Sequence, residues 1–126
     1  MNPPPIRYVD GPEGRIAYQV FGDGPIDLVC SVGPPLNLEV AWEYPPIERY
    51  LRHLGSFSRL ILANIRGTGL ADPVRHGTTL EEWATDIECV FDAAGVQTGS
   101  LVASDNSGPF AILYAATHPD RVRSLA

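Results

Sequence analysis

Apolar residues fall along the chain in short alternating runs and in three- and four-residue periods, separated by glycine and proline. Ile16, Tyr18 and Val20 alternate with Arg15, Ala17 and Gln19, which predicts a strand over 15–21. A strand over 6–9 precedes it across Asp10-Gly11-Pro12-Glu13-Gly14, so the pair reads as an antiparallel hairpin. Two short apolar runs, 26–32 and 59–63, are closed by Gly33-Pro34-Pro35 and followed by Gly67 and Gly69 respectively. Both predict strands buried on two faces, as in a parallel sheet. Between them, Ile47, Tyr50, Leu51 and Leu54 recur at helical spacing over 46–54 after a Pro-Pro start. The strongest periodicity is Leu80, Trp83, Ala84, Ile87, Val90, Phe91 and Ala94, a helix over 80–94 with a Thr79/Glu82 capping box and Gly95 as its stop. A short strand over 100–104 and a nearly all-apolar helix over 107–117, ended by His118-Pro119, complete the pattern.

Two strands followed by strand-helix-strand-helix-strand-helix predict an α/β fold: a mostly parallel sheet opened by an N-terminal antiparallel hairpin, with about five strands and three helices. With 126 residues and 44% apolar side chains, one domain over 1–126 is expected. Nine basic against fifteen acidic residues disfavour a nucleic-acid groove, which needs a basic stripe. Every basic residue is arginine, which excludes a lysine Schiff base and a phosphate-binding lysine. Cys30 and Cys89 have no CxxC spacing and read as buried thiols in a reducing compartment. No signal peptide or membrane span is visible, so a cytoplasmic location and no membrane partner are expected. Metal-ligand, dinucleotide and haem patterns are absent too, and no cofactor is implied.

In open α/β sheets chemistry sits beyond the carboxyl ends of the strands, here 31–36, 64–73 and 103–108. The last of these is a strand-to-helix turn with small residues two places either side of Asp105, namely Ala103 and Ser107. A nucleophile elbow needs that arrangement, because bulky neighbours would collide with the adjoining strand and helix. Ser104 and Ser107 fail the same test, since Val102 and Asn106 flank one and Asp105 and Pro109 the other. Asp105 is therefore the tip of any elbow, and an ordinary helix N-cap is the alternative role. The acidic group Glu81, Glu82, Asp86 and Glu88 reads as a solvated helix face and first turn, and Trp42 and Tyr44 as core or rim packing.

Arg15-Ile16-Ala17-Tyr18-Gln19-Val20, Gly22-Asp23-Gly24-Pro25, Arg66-Gly67-Thr68-Gly69-Leu70, Asp92-Ala93-Ala94-Gly95 and Ala115-Ala116-Thr117-His118-Pro119-Asp120-Arg121-Val122 occur in an order that resembles the α/β-hydrolase superfamily. More narrowly the chain is similar to hydrolase domains fused ahead of class III adenylyl cyclases. The resemblance implies a truncated α/β-hydrolase fold comprising the N-terminal half, with the cap, later strands, acidic triad member and catalytic histidine outside these residues. It places Asp105 at the nucleophile position, as in haloalkane dehalogenases and epoxide hydrolases, whose aspartate attacks carbon and forms an alkyl ester. It places the oxyanion hole at Gly33, Pro34 and Asn106. Pro34 has no N–H to donate there, while the Asn106 N–H could donate. Asn64 stands where the family commonly has aspartate.

The resemblance thus implies an α/β-hydrolase-like protein that is catalytically incomplete as a single chain. His53, His76 and His118 are expected in surface or capping roles. One alternative is an interaction module: the edge of the fifth strand, together with an apolar flank of the last helix at Phe110, Ile112, Leu113 and Tyr114, would recruit a second copy or a partner chain. Another is an Asp-nucleophile hydrolase completed by another polypeptide.

Overall fold

The computed structural model describes residues 2–31, 37–104 and 107–126. Its strands are β1 (Arg7–Gly11), β2 (Gly14–Phe21), β3 (Ile26–Ser31), β4 (Ser58–Asn64), β5 (Gly99–Val102) and β6 (Val122–Leu125). Its helices are α1 (Leu38–Ala41), α2 (Pro45–Gly55), α3 (Leu80–Ala94) and α4 (Gly108–Thr117). The strands form one sheet in the order β1-β2-β4-β3-β5-β6. β1 and β2 are antiparallel, β2 runs antiparallel to β4, and the β4-β3-β5-β6 pairings are all parallel. The hairpin and the parallel body therefore match the hydrophobic pattern.

Strand alternation sends successive side chains to opposite faces, and both faces are covered. Ile16, Val29, Ile61 and Leu101 pack with Ile87, Val90 and Phe91 of α3 and with Phe110, Ala111 and Tyr114 of α4. On the other face Ala17, Leu28, Leu60 and Leu62 pack with Leu38 and Ala41 of α1 and Leu51 and Leu54 of α2. The Thr79 hydroxyl caps α3 by accepting from the Glu82 N–H at 3.2 Å, and Gly95 closes the helix at φ 71°. Among the described residues no helix is long and apolar enough to cross a membrane.

Three expectations change. Among the described residues the helix count rises to four because Asn37 caps α1, its side chain accepting from the Val40 N–H at 2.8 Å. Four residues are too few to show a period. Among the described residues the strand count rises to six because β6 pairs with β5, and the fifth strand is consequently not an edge. Backbone bonds Gly99 N–H to Arg121 C=O, Ala126 N–H to Leu101 C=O and Ala103 N–H to Ala126 C=O, each 2.9 Å, cover it. Among the described residues the two outermost strands of the sheet are β1 and β6. Finally, the apolar flank of α4 is mostly internal: Phe110 and Tyr114 pack on Trp83 and Phe91 of α3, and Ile112 is the exposed member.

Arg121 fastens β6 to the helical layer. Its guanidinium donates to Glu88, to Asp92 at 2.7 Å and to the Val96 carbonyl at 2.5 Å, and it lies over the Phe91 ring. Glu88 also accepts from the Tyr114 hydroxyl, so one carboxylate ties α3 to α4 and β6.

Candidate functional site

Parallel pairing sets the carboxyl ends of β3, β4 and β5 side by side at one edge of the sheet. Ser31 ends β3, Asn64 ends β4, and Ala103 and Ser104 follow β5. Asn64 is the hub of this edge. Its fully buried carboxamide oxygen accepts from the Leu38 N–H at 3.0 Å and the Leu70 N–H at 3.2 Å. One side chain thereby joins the start of α1 to the loop after β4. That loop comes close enough to need glycine: a Cβ on Gly69, whose φ is +46°, would lie 2.1 Å from the Asn64 oxygen. Thr68 tightens the same turn by donating its hydroxyl to the Ile65 carbonyl at 2.6 Å.

Arg66 turns back from the loop into a buried ion pair. Asp86 accepts from the Arg66 backbone N–H at 3.0 Å, from Nε at 3.0 Å and from Nη2 at 2.8 Å. Glu82 and Glu13 stand at 3.4 and 3.7 Å from the same guanidinium. The hydrogen bonds that the guanidinium donates to Asp86 hold the Arg66 pKa above its ordinary value. Asp86, expected on a solvated face, is in fact 1% exposed. Its position three residues after Trp83 and four before Val90 was the available signal, an acid on the apolar stripe of α3.

Beyond β5 the chain turns into α4 through Ser104 and Ser107. The Ser107 hydroxyl accepts from the Ser104 N–H at 2.9 Å and donates to the Ser104 carbonyl at 2.8 Å. The Ser107 N–H meets that carbonyl too, at 3.0 Å. Ser107, noted in the sequence only as a small flanking residue, is thus buried and bonds three ways to the end of β5. The sequence-derived site residues Gly33, Pro34, Asp105 and Asn106 lie outside the described residues.

The three histidines are held elsewhere. His53, in the last turn of α2, meets the Phe57 ring edge-on just before β4, at the opposite end of that strand from Asn64. His118 ends α4 and stacks on Tyr114. The ten residues of α4 put it about 15 Å along the helix from Ser107. His76 reaches Glu13 in the β1–β2 turn, Nε2 to Oε2 3.1 Å. β2 and β5 are separated by three strand spacings, about 14 Å. Trp42 is buried, stacked edge-on against Phe21 with its indole N–H on Gln19, and Tyr44 is exposed. Both cysteines are free, and burial pushes the Cys30 thiol up to about 11. Among the described residues no three His, Cys, Asp or Glu side chains converge as metal ligands would.

His76 carries a pH prediction. Its hydrogen bond with the Gly77 carbonyl and then the charge of Glu13 raise its pKa above the ordinary 6.5. A value higher in the folded than the unfolded chain stabilises the fold at pH below the unfolded value, and that stabilisation is lost as pH rises through the folded one. An NMR titration of the ring is expected to show a midpoint above 6.5, falling part of the way back in Glu13→Gln because the Gly77 contact remains. An unshifted midpoint, or one unmoved by Glu13→Gln, would contradict the contact.

No protein-family model matches the chain. Epoxide hydrolase VrEH1 from Vigna radiata superposes with a TM-score of 0.80 over 98% of this chain and 39% of its own, at 21% identity. The fold is that of the α/β hydrolases. Another structure with this fold, the meta-cleavage product hydrolase CumD from Pseudomonas fluorescens IP01, superposes at 0.77 over 94% of this chain and 43% of its own, with 21% identity. In sequence, the "Putative carbamate hydrolase RutD" of Azorhizobium caulinodans is 30% identical over 121 residues, 95% of this chain and 43% of the relative. A haloalkane dehalogenase of Agrobacterium fabrum is 31% identical over 75 residues, 60% of this chain and 25% of the relative. The chain spans less than half the length of these α/β-hydrolase relatives.

Proposed function

We propose that these 126 residues carry the nucleophile position of an α/β-hydrolase site, Asp105, and do not turn over substrate by themselves. The observation that supports this reading most directly is the placement of the histidines: each is engaged away from the β5–α4 junction. The chemistry explains why that matters. An aspartate carboxylate can open an epoxide or displace halide from an alkyl carbon; the new C–O bond gives an alkyl ester, and the leaving group departs with its electron pair. Returning the carboxylate requires water to attack the ester carbonyl while a base takes its proton. Without a histidine at the junction the second half stalls. Pro34 at the oxyanion position compounds the deficit, since the loss of one N–H donor weakens oxyanion stabilisation by roughly 3 kcal/mol in acyl transfer. The narrower likeness to cyclase-linked hydrolase domains rests on the sequence motifs.

The test is steady-state turnover of p-nitrophenyl esters, styrene oxide and 1-bromobutane by the purified chain. None above the buffer rate is expected. Turnover that disappears in Asp105→Asn would overturn the proposal.

A further inference from the structure

The helices extend unequally over the two faces of the sheet. Among the described residues α1 and α2 pack over β2, β4 and the near side of β3, whereas α3 and α4 carry the opposite face out to β5 and β6. The handedness of the connections explains the difference. β3-α2-β4 steps one way across the sheet, while β4-α3-β5 and β5-α4-β6 step the other way, so right-handed crossovers put α2 on one face and α3 and α4 on the other. A right-handed crossover stepping toward β6 therefore never covers the α2 face of β5.

On that face runs a trough. Ile26 and Cys30 alternate with Leu28 to the α2 side of β3, and register sets Ser100 and Val102 of β5 beside Leu28 and Cys30. The Ser124 hydroxyl of β6 donates to the Ser100 hydroxyl at 2.8 Å and extends the floor. One flank of α2 is the wall. Arg52 lies over Phe21 and Trp42 and marks the flank toward β2; Tyr50, about 200° round the helix from it, is on the other. Burial and then the charge of the Cys30 thiol raise the pKa of the Tyr50 hydroxyl, which sets Tyr50 beside the floor. Phe57 continues the wall, edge-on to His53 and next in sequence to Ser58, the partner of Ile26.

The trough is apolar and open. Ile26, Tyr50 and Phe57 are 41%, 48% and 45% exposed, and Cys30 and Val102 are half-buried. Parallel strands are ordinarily covered on both faces. From β3 to β6 is two strand spacings, about 10 Å, the width of a single helix with its side chains. Small residues at Cys30, Ser100 and Ser124 allow a helix to come close to the strands. More than half of the chain of VrEH1, CumD and RutD lies outside the part matched here, a length ample for such a helix.

We propose that this trough docks one amphipathic helix of a partner polypeptide, laid beside α2 with its apolar stripe on Ile26, Cys30, Tyr50, Phe57 and Val102. Helix-in-groove recognition of this kind reads apolar residues at three- and four-residue spacing. The proposal does not rest on Asp105, and its test reads no turnover.

The probe is a synthetic peptide of about 18 residues, some five turns, made of Leu, Ala, Glu and Lys with zero net charge and its leucines on one stripe. A peptide of the same composition, reordered to scatter the leucines, is the control. Each is titrated into the full 15N-labelled chain. The expected result is saturable shifts at the Cys30, Ser100, Val102 and Ser124 amides with the striped peptide, and about tenfold weaker binding of the reordered one. Ser124→Arg, which fills the floor, and Tyr50→Ser, which lowers the wall, are each expected to weaken binding about tenfold. Ile112→Ser, on α4 across the sheet, leaves it unchanged. All three positions are exposed, so the substitutions keep the fold. Equal binding of the two peptides, an equal loss in Ile112→Ser, unchanged binding in Ser124→Arg, or no saturable shift would each overturn the proposal. So would self-association of the chain that Ser124→Arg abolishes, which would make a second copy the occupant.

Discussion

Asp86→Ala is expected to lower the unfolding free energy by about 3–5 kcal/mol, the usual cost of leaving a buried charge without its partner. Arg66 is 5% exposed and gives Asp86 three hydrogen bonds, one from its own backbone. Removing the carboxylate strands the guanidinium and an amide N–H together. Glu82 and Glu13, at 3.4 and 3.7 Å, offer partial compensation, which favours the low end of that range. For a domain whose total stability is of order 5–15 kcal/mol, such a loss brings unfolding within reach of mild denaturant. The pair itself is another matter. Arg66→Met combined with Asp86→Leu removes both charges, and the double variant is expected to recover much of the loss because the desolvation cost of both ions disappears with them. Urea midpoints at constant slope measure both variants against the unaltered chain. A loss below 1 kcal/mol in Asp86→Ala, or a double variant no better than the single, would show that the ion pair is hydrated.

Asn64→Ala is expected to cost about 2–6 kcal/mol, since two amide N–H groups lose their acceptor at roughly 1–3 kcal/mol each where buried. Leu38 and Leu70 are the residues affected. Leu38 is fully buried, so water does not readily replace the lost oxygen there. Asn64→Asp keeps an oxygen acceptor in the same place and is expected to cost much less. Gly69→Ala should behave like Asn64→Ala, because its methyl group would occupy the space of the Asn64 oxygen. Hydrogen exchange at Leu38 and Leu70 distinguishes this mechanism from general loosening: both amides should exchange faster relative to those of α3 in Asn64→Ala. Uniform acceleration across the chain would count against the clamp.

These two clusters also mark where local sequence stops informing. The hairpin, the two-sided strands and α3 were legible because each is a local pattern: Ile16, Tyr18 and Val20 alternate, and Leu80 through Ala94 repeat at helical spacing between Thr79 and Gly95. Burial of such a stripe against any apolar surface suffices to select the element. In the sequence Asp86 groups with its acidic neighbours because charge usually means solvent, and only Arg66, twenty residues earlier, makes its burial tolerable. Asn64 ends an apolar run with no visible task in the sequence, since its oxygen accepts from backbone N–H groups that separate elements bring to it.

The amino-acid sequence by itself determined the α/β class, the antiparallel opening and the positions of β5 and α4, because periodicity and caps act over a few positions. Tertiary structure alone decided β6 and α1, the burial of Asp86 and the edge of the sheet. Four residues such as Val122–Leu125, with only Val122 half-buried, carry no period that a sequence can display. They become a strand through backbone bonds to Gly99, Leu101 and Ala103 and through the grip of Arg121 on Glu88, Asp92 and Val96, contacts that exist only once α3, α4 and β5 are packed.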